Sequence, residues 1–255
     1  LGPMFRYERP QKGRYRQFHQ LDVEVFGISD PAIDGEVIEM AAAFIAELGI
    51  QTAELVINSV GCTGCRPRFS QALLDALGKT VQDLCGDCQR RVKTNPLRIF
   101  DCKVQADQPI IEELPHSEDF LCDPCREHFA EVRRHLEAYG LQHRVSHRLV
   151  RGLDYYTRTT FEVLGGEVGA QNALLGGGRY DHLVKHLGGP DRPGIGFAAG
   201  LERLVLALPE ETREGNVVDA FVVAMGEASW TAARLLARDL RRAGLIVLID
   251  YEGRS

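Results

Sequence analysis

All seven cysteines of this 255-residue chain fall between Cys62 and Cys125, six of them as Cys-x-x-Cys pairs. A secreted disulfide scaffold spreads an even number of cysteines through a short chain. An odd number gathered in one stretch suits thiolate ligation of a metal in a reducing compartment. The spacing Cys62-x2-Cys65, nineteen residues, Cys85-x2-Cys88 fits a four-thiolate zinc site. Cys102 and Cys122-x2-Cys125 leave other four-ligand sets open, and reduced thiols without metal are the plain alternative. The expectation carried forward is a structural zinc on Cys62, Cys65, Cys85 and Cys88. Composition changes at Gly61, so residues 61–147 read as an inserted module. Arg66, Arg68, Arg90, Arg91, Lys93 and Arg98 give that module a basic face.

The sequence on either side of the module supplies the frame. Residues 1–27 read as an antiparallel hairpin whose alternation sets Gln20, Asp22 and Glu24 on one face of the return strand. A helix follows, with Asp30 as N-cap, Pro31 in its first turn, Val37, Ile38, Ala41, Phe44, Ile45 and Leu48 at helical spacing, and Gly49 as its stop. Leu55-Val56-Ile57 reads as a strand. From Arg148 strands return, with eleven glycines in positions 165–200 marking tight turns and close backbone approach. Residues 217–255 read as one β-α-β unit, the start of an α/β domain that needs more chain to cover a parallel sheet. A 44% hydrophobic content suffices for a real core, and no apolar run approaches the ~20 residues of a bilayer span. Without a basic, then apolar, leader the chain reads as soluble and cytoplasmic, and Leu1 followed at once by motif-like sequence reads as an internal stretch of a longer protein. The net charge of −6 means that a polyanion must be met by a local patch. Arg6, Arg9, Lys12, Arg14 and Arg16, interleaved with Phe5, Tyr7 and Tyr15, form one.

Here the residues carry a resemblance. Phe5-Arg6-Tyr7-Glu8 with Arg14-Tyr15-Arg16-Gln17-Phe18-His19-Gln20 resembles motif 2 of the class II aminoacyl-tRNA synthetases, in the form of the histidyl enzymes. Arg151-Gly152-Leu153-Asp154-Tyr155-Tyr156 and Gly177-Gly178-Arg179-Tyr180-Asp181 resemble the two histidine-specific signatures of that family, and Gly196-Phe197-Ala198-Ala199-Gly200-Leu201-Glu202-Arg203 resembles motif 3. The resemblance spans the chain. It implies an α+β fold, a class II catalytic core of antiparallel sheet flanked by helices, split as 1–60 and 148–212 around the inserted module. An anticodon-binding domain would begin at 217, and motif 1, which builds the family's dimer interface, would lie upstream of Leu1.

The implied activity is that of a histidine-tRNA ligase, which joins histidine to ATP as an adenylate and passes it to histidine tRNA. Attack of a carboxylate on the α-phosphorus brings two anions together, so fixed cations are needed. By resemblance Arg6, Arg203 and Arg151 are catalytic, the first two on the ATP phosphates and Arg151 at the α-phosphate. Glu8, Gly177 and Gly178 complete the ATP site, with Mg as the accompanying ion. Gln20, Glu24, Tyr155 and Tyr156 hold histidine, whose neutral imidazole presents one donor and one acceptor. Arg9, Gln11, Lys12 and Arg14 lie in the motif 2 loop that reaches the tRNA acceptor end, where an extra 5′ guanosine marks histidine tRNA. The full-length protein is expected to be a homodimer with histidine, ATP and histidine tRNA as partners. Gly176-Gly177-Gly178 is no Walker loop, since the Lys-Ser/Thr ending is missing, and Gly194 to Gly200 departs from the dinucleotide fingerprint by one residue. Two rivals stand beside this reading: the non-catalytic paralogue that regulates ATP phosphoribosyltransferase, and a zinc-ribbon nucleic-acid module. The paralogue loses motif residues such as Arg151 and Arg203 that are present here, and the ribbon leaves 151–203 unexplained.

Overall fold

The structure, a computed structural model, describes residues 1–7, 14–150, 155–165, 172–209 and 218–251. It divides into two units, Leu1–Leu208 and Pro209–Ser255. The first is organised by a seven-stranded mixed sheet of β1 (Gly2–Phe5), β2 (Gln17–Phe26), β3 (Glu54–Ser59), β4 (Arg144–Val145), β5 (Thr157–Leu164), β6 (Ala173–Arg179) and β7 (Gly194–Gly200), in the spatial order β1-β2-β7-β6-β5-β3-β4. Every neighbouring pair is antiparallel except β3 and β4. The motif 2 and motif 3 strands, far apart in sequence, are therefore direct partners, with Gln20 opposite Gly200 and Glu24 opposite Gly196. The antiparallel sheet with flanking helices that the resemblance implies is present, with β3–β4 as the one parallel pair among the described strands of this sheet.

Helix α1 (Pro31–Glu47) forms as its signals require: the Asp30 side chain accepts from the Ala32 N–H at 2.9 Å, Pro31 opens the helix, and Gly49 ends it at φ 75°. Its apolar stripe packs Val37, Ile38, Ala41 and Ile45 against Ile57, Phe161, Val163, Ile195 and Phe197 of the sheet. The same core takes Phe129, Val132 and Leu136 from α5 (Asp123–Ala138), which packs along α1. Burying each such side chain contributes about 1.5–3 kcal/mol.

α5 belongs to residues 61–147, the stretch the sequence sets apart, yet its apolar face joins the main core. The periodicity of α5 announces a covered face but cannot name its partner, and the partner is the main core. A second, smaller cluster holds Phe69, Leu73 and Leu77 of α2 (Cys65–Leu77), Cys88 of α3 (Gly86–Thr94), Ile111 of α4 (Gln108–Glu112), Leu84, Leu97, Ile99, Phe100 and Cys102 between these helices, and Leu114 and Val150 beyond them. After β6 comes the short α6 (Leu183–His186), and β7 runs directly into α7 (Leu201–Ala207). In the second unit β8 (Ala220–Val222) and β9 (Val247–Ile249) pair in parallel, and α8 (Trp230–Arg242) covers them with Ala233 and Ala237. Among the described residues no helix is long and apolar enough to cross a membrane.

Candidate active site

The sheet's registers decide which side chains face away from α1 and α5. On β2 these are Gln20, Asp22 and Glu24; on β7 Gly196, Ala198 and Gly200; on β6 Gly176 and Gly178; on β5 Thr160 and Glu162. Gly176, Gly178, Gly196, Ala198 and Gly200 present only hydrogen or methyl side chains there, so a trough runs between the polar walls of β2 and β5. Gly196 leaves no latitude: a β-carbon would lie 1.9 Å from Glu24 Oε2 and 2.4 Å from the Val23 carbonyl oxygen. Gly178 is held the same way, 2.8 Å from the Tyr156 ring.

Two cavities occupy the trough and share Gln20 and Ala198. The larger, about 480 Å³, is walled by Glu24, Tyr155, Tyr156, Tyr180, Phe26 and Phe197. The Tyr180 hydroxyl donates to Glu24 Oε2, and the Tyr155 ring stands edge-on to Tyr180 at 6.1 Å and tilted against Tyr156 at 4.8 Å. Burial pushes the Glu24 carboxyl above its ordinary value, aided by the Asp22 charge and opposed by the Tyr180 hydrogen bond. Burial and the adjacent Glu24 push the Tyr180 phenol up, which keeps it a donor. An apolar-walled pocket ending in a carboxylate and a phenol suits a flat ring that carries N–H groups. Gln20 Nε2 donates to Asp22 Oδ1 where the two cavities meet.

The second cavity, about 250 Å³, gathers Arg6, Arg14 and Arg203 with Tyr15, Phe18, Glu162 and Glu202. The Arg6 guanidinium lies 4.3 Å over the Phe18 ring and its Nε donates to the Tyr15 carbonyl oxygen at 2.8 Å; Arg203 Nη1 donates to the Ala173 carbonyl oxygen at 2.9 Å. Backbone carbonyls help aim these guanidinium groups, whose planar forks match the oxygens of a polyphosphate.

Of the residues expected for histidine, Gln20, Glu24, Tyr155 and Tyr156 all line the larger cavity. Arg6 and Arg203 line the smaller, joined by Arg14, which the sequence assigns to the tRNA loop. Gly177 and Gly178 sit within β6 and line neither cavity, whereas Gly176 lines the arginine-rich one. Gly177 faces the core, where a β-carbon would lie 2.2 Å from the Gly196 carbonyl oxygen. Glu8, Arg9, Gln11, Lys12 and Arg151 lie outside the described residues.

Tyr180 and Glu162 carry no role in the sequence reading. Alternation from Gly178 puts Tyr180 on the trough face, but its reach to Glu24 spans 156 positions and needs the sheet order. Nor does the sequence reveal what holds the trough in place from behind. Arg179, fully buried, grips Asp34 of α1 and the Ile28 carbonyl oxygen, and its Nη1 is 3.0 Å from Asp181 Oδ1. His128 and Thr159 reach the same Asp34 oxygen at 2.9 and 2.6 Å.

The zinc set Cys62, Cys65, Cys85 and Cys88 is not the one assembled. Cys62 and Cys65 meet Cys122 and Cys125, while Cys85 and Cys88 meet Cys102 and Asp107. The reason is geometric: α2 starts at Cys65 and its 13 residues carry the chain roughly 20 Å away before Cys85.

The family model described as Histidyl-tRNA synthetase matches residues 1–204. The histidine–tRNA ligase of Syntrophotalea carbinolica is 49% identical over the whole chain, which spans 61% of that relative, and that of Geobacter sulfurreducens is 51% identical, with 62% of it spanned. Among solved structures, apo histidyl-tRNA synthetase of S. aureus superposes over the whole chain with a TM-score of 0.64 at 36% identity, and 62% of it is covered.

Proposed function

The chain belongs to the histidyl-tRNA synthetase family, and from that premise we propose that it forms the substrate-binding heart of a histidine–tRNA ligase. The observation that carries this is the pairing of two cavities across Gln20 and Ala198, one ending in Glu24 and Tyr180, the other lined with three arginines. Histidine occupies the first with its imidazole N–H toward Glu24, its ring stacked among Tyr155, Tyr156 and Tyr180, and Gln20 near its α-carbon end. ATP occupies the second, phosphates toward Arg6 and Arg203 and base toward Phe18. Gly176 and Gly178 keep β6 low beneath both ligands, and Gly177 supports them from the core side. The pockets' junction is where a histidine carboxylate oxygen bonds to the α-phosphorus as the bond to the bridging oxygen breaks and pyrophosphate leaves. Arg151 is assigned to the α-phosphate by resemblance, Glu8 to ATP. In the second step a ribose hydroxyl at the tRNA 3′ end attacks the histidyl carbonyl carbon and AMP leaves.

Magnesium fits as the ion that travels with ATP, since Glu162 and Glu202 offer hard oxygen donors beside the arginines; it screens phosphate charge. Arg9, Gln11, Lys12 and Arg14 meet the tRNA acceptor end. The full-length protein acts in the cytoplasm as a homodimer, and zinc in the insert is structural, outside the chemistry.

The test is histidine-dependent ATP–pyrophosphate exchange by the full-length protein. The wild type is expected to exchange, and Arg151→Ala to lose on the order of 10²-fold or more in rate, as for other groups that act on developing charge. A folded wild type without exchange overturns the proposal in favour of a non-catalytic binding protein.

A further inference from the structure

We propose that the chain binds two zinc ions in separate structural sites, Cys62/Cys65/Cys122/Cys125 and Cys85/Cys88/Cys102/Asp107. Together they use every cysteine in the sequence.

In each set the four ligand atoms lie within 4.8 Å of one another. A tetrahedron with Zn–S bonds of about 2.3 Å has edges of about 3.8 Å. The sulfur separations match: 3.6 Å for Cys62–Cys65, 3.9 Å for Cys62–Cys122 and 3.9 Å for Cys85–Cys102. They are far too long for disulfide bonds, at about 2.05 Å.

The first site is built from two like turns. The Cys65 and Arg66 N–H groups donate to the Cys62 carbonyl oxygen at 3.0 and 3.2 Å, and the Cys125 and Arg126 N–H groups donate to that of Cys122 at 3.0 and 2.9 Å. The Cys122 N–H donates to Cys65 Sγ at 3.2 Å, a bond that favours thiolate. Gly61, at φ 69°, is what the turn requires, since a β-carbon there would lie 2.4 Å from Cys65 Cβ. Besides the four cysteines this cluster contains Leu121 alone, too little apolar surface to join α2 to α5 unaided.

The second site has an acid where the first has a fourth thiol. Asp107 is 1% exposed among three sulfurs; its oxygens accept from the Cys85 N–H at 3.0 and 3.2 Å and from the Cys102 thiol at 3.2 Å. A carboxylate buried among thiols calls for a compensating cation, and one tetrahedral divalent ion satisfies all four groups. Thiolate-rich tetrahedral sets select zinc among divalent ions.

Metal analysis of the full-length protein prepared without chelator reads the proposal directly. The wild type carries about two zinc per chain; Cys122→Ser with Cys125→Ser lowers this to about one, as does Asp107→Ala, and combining them leaves none. Stripping ligands risks unfolding the insert, so two controls are included. Asp107→Cys retains about two zinc, and titrating the wild type with a thiol-specific mercurial releases two zinc for seven thiols. Less than two equivalents in folded wild type overturns the proposal. So does one zinc lost alike on Cys62→Ser and Cys85→Ser but kept on Cys122→Ser, the single site of sequence spacing. Iron with visible absorption in place of zinc overturns it as well.

Discussion

Gly196 and Tyr180 are the two residues through which the trough makes its demands. A methyl at 196 would occupy the space of Glu24 Oε2, so Gly196→Ala must displace either Glu24 or the β2 backbone. The expected result is loss of histidine-dependent exchange together with about 1–3 kcal/mol of stability, the usual range for overpacking, and urea unfolding beside the exchange assay measures both. Wild-type values in each would remove Gly196 as the floor of the site. Tyr180→Phe keeps the ring and deletes the donor to Glu24. A hydrogen bond to a charged group contributes roughly 1.5–3 kcal/mol, so the KM for histidine is expected to rise about 10- to 100-fold while the KM for ATP stays put. Equal changes in both constants would point to a general loss of structure and not to imidazole recognition.

At the scale of elements, one buried carboxylate ties β5, β6 and two helices together. Asp34 on α1 receives Arg179 from β6, His128 from α5 and Thr159 from β5. Burial pushes its carboxyl up, but the hydrogen bonds and charges of His128 and Arg179 outweigh that and hold it below the usual carboxylate range. A folded-state pKa below the unfolded one contributes stability that is present above the ordinary carboxylate range and lost as pH falls through the folded value. Asp34→Asn takes from Arg179 its fully buried counter-ion and leaves it only the less buried Asp181. The expected cost is on the order of 3–5 kcal/mol at neutral pH, narrowing as both proteins are taken into acid. Denaturant midpoints measured from neutral pH downward check this; a gap that stays constant with pH would mean that Asp34 acts by shape and not by charge. Tyr155, Tyr156 and Tyr180 of the larger cavity lie directly beside the ends of β5 and β6, so under the proposed function the same variant is expected to weaken histidine binding without any contact to the ligand.

For the whole molecule, the chain spans 61% and 62% of the two relatives named above and divides into two compact units. With a net charge of −6, the proposed attraction of tRNA falls to local cations, and of these Arg6 and Arg14 line the arginine-rich cavity. If Arg9 and Gln11 read the extra guanosine, Arg9→Ala or Gln11→Ala in the full-length protein shrinks the preference for tRNA carrying it by roughly the 1–3 kcal/mol of a good base contact, with adenylate formation untouched. Equal loss on both tRNAs with a shallower salt dependence would leave the loop an electrostatic role only. Comparing transfer rates to the two tRNAs at two salt concentrations distinguishes the outcomes.

Local order in the chain determined a good deal. Strict alternation along Gln20, Asp22 and Glu24 fixed their common face, because a strand's side chains have a period of two whatever lies beside it. Asp30, Pro31 and Gly49 bounded α1 because capping is settled within a few residues. The four motif stretches carry the family, since each is contiguous in the chain. What needed the tertiary structure was every choice among partners. Four of the seven thiols could be chosen many ways by spacing, and the direction of α2 sent Cys62 and Cys65 to Cys122 and Cys125. The apolar face of α5 could have closed the insert, and it packs on α1 instead. Glu24 could have met any donor, and the pairing of β2 with β7 and β7 with β6 gave it Tyr180. Periodicity and capping are energies of neighbours in sequence, whereas these pairings depend on loop closures over 57 to 156 positions, whose outcome the packed sheet and helices decide together.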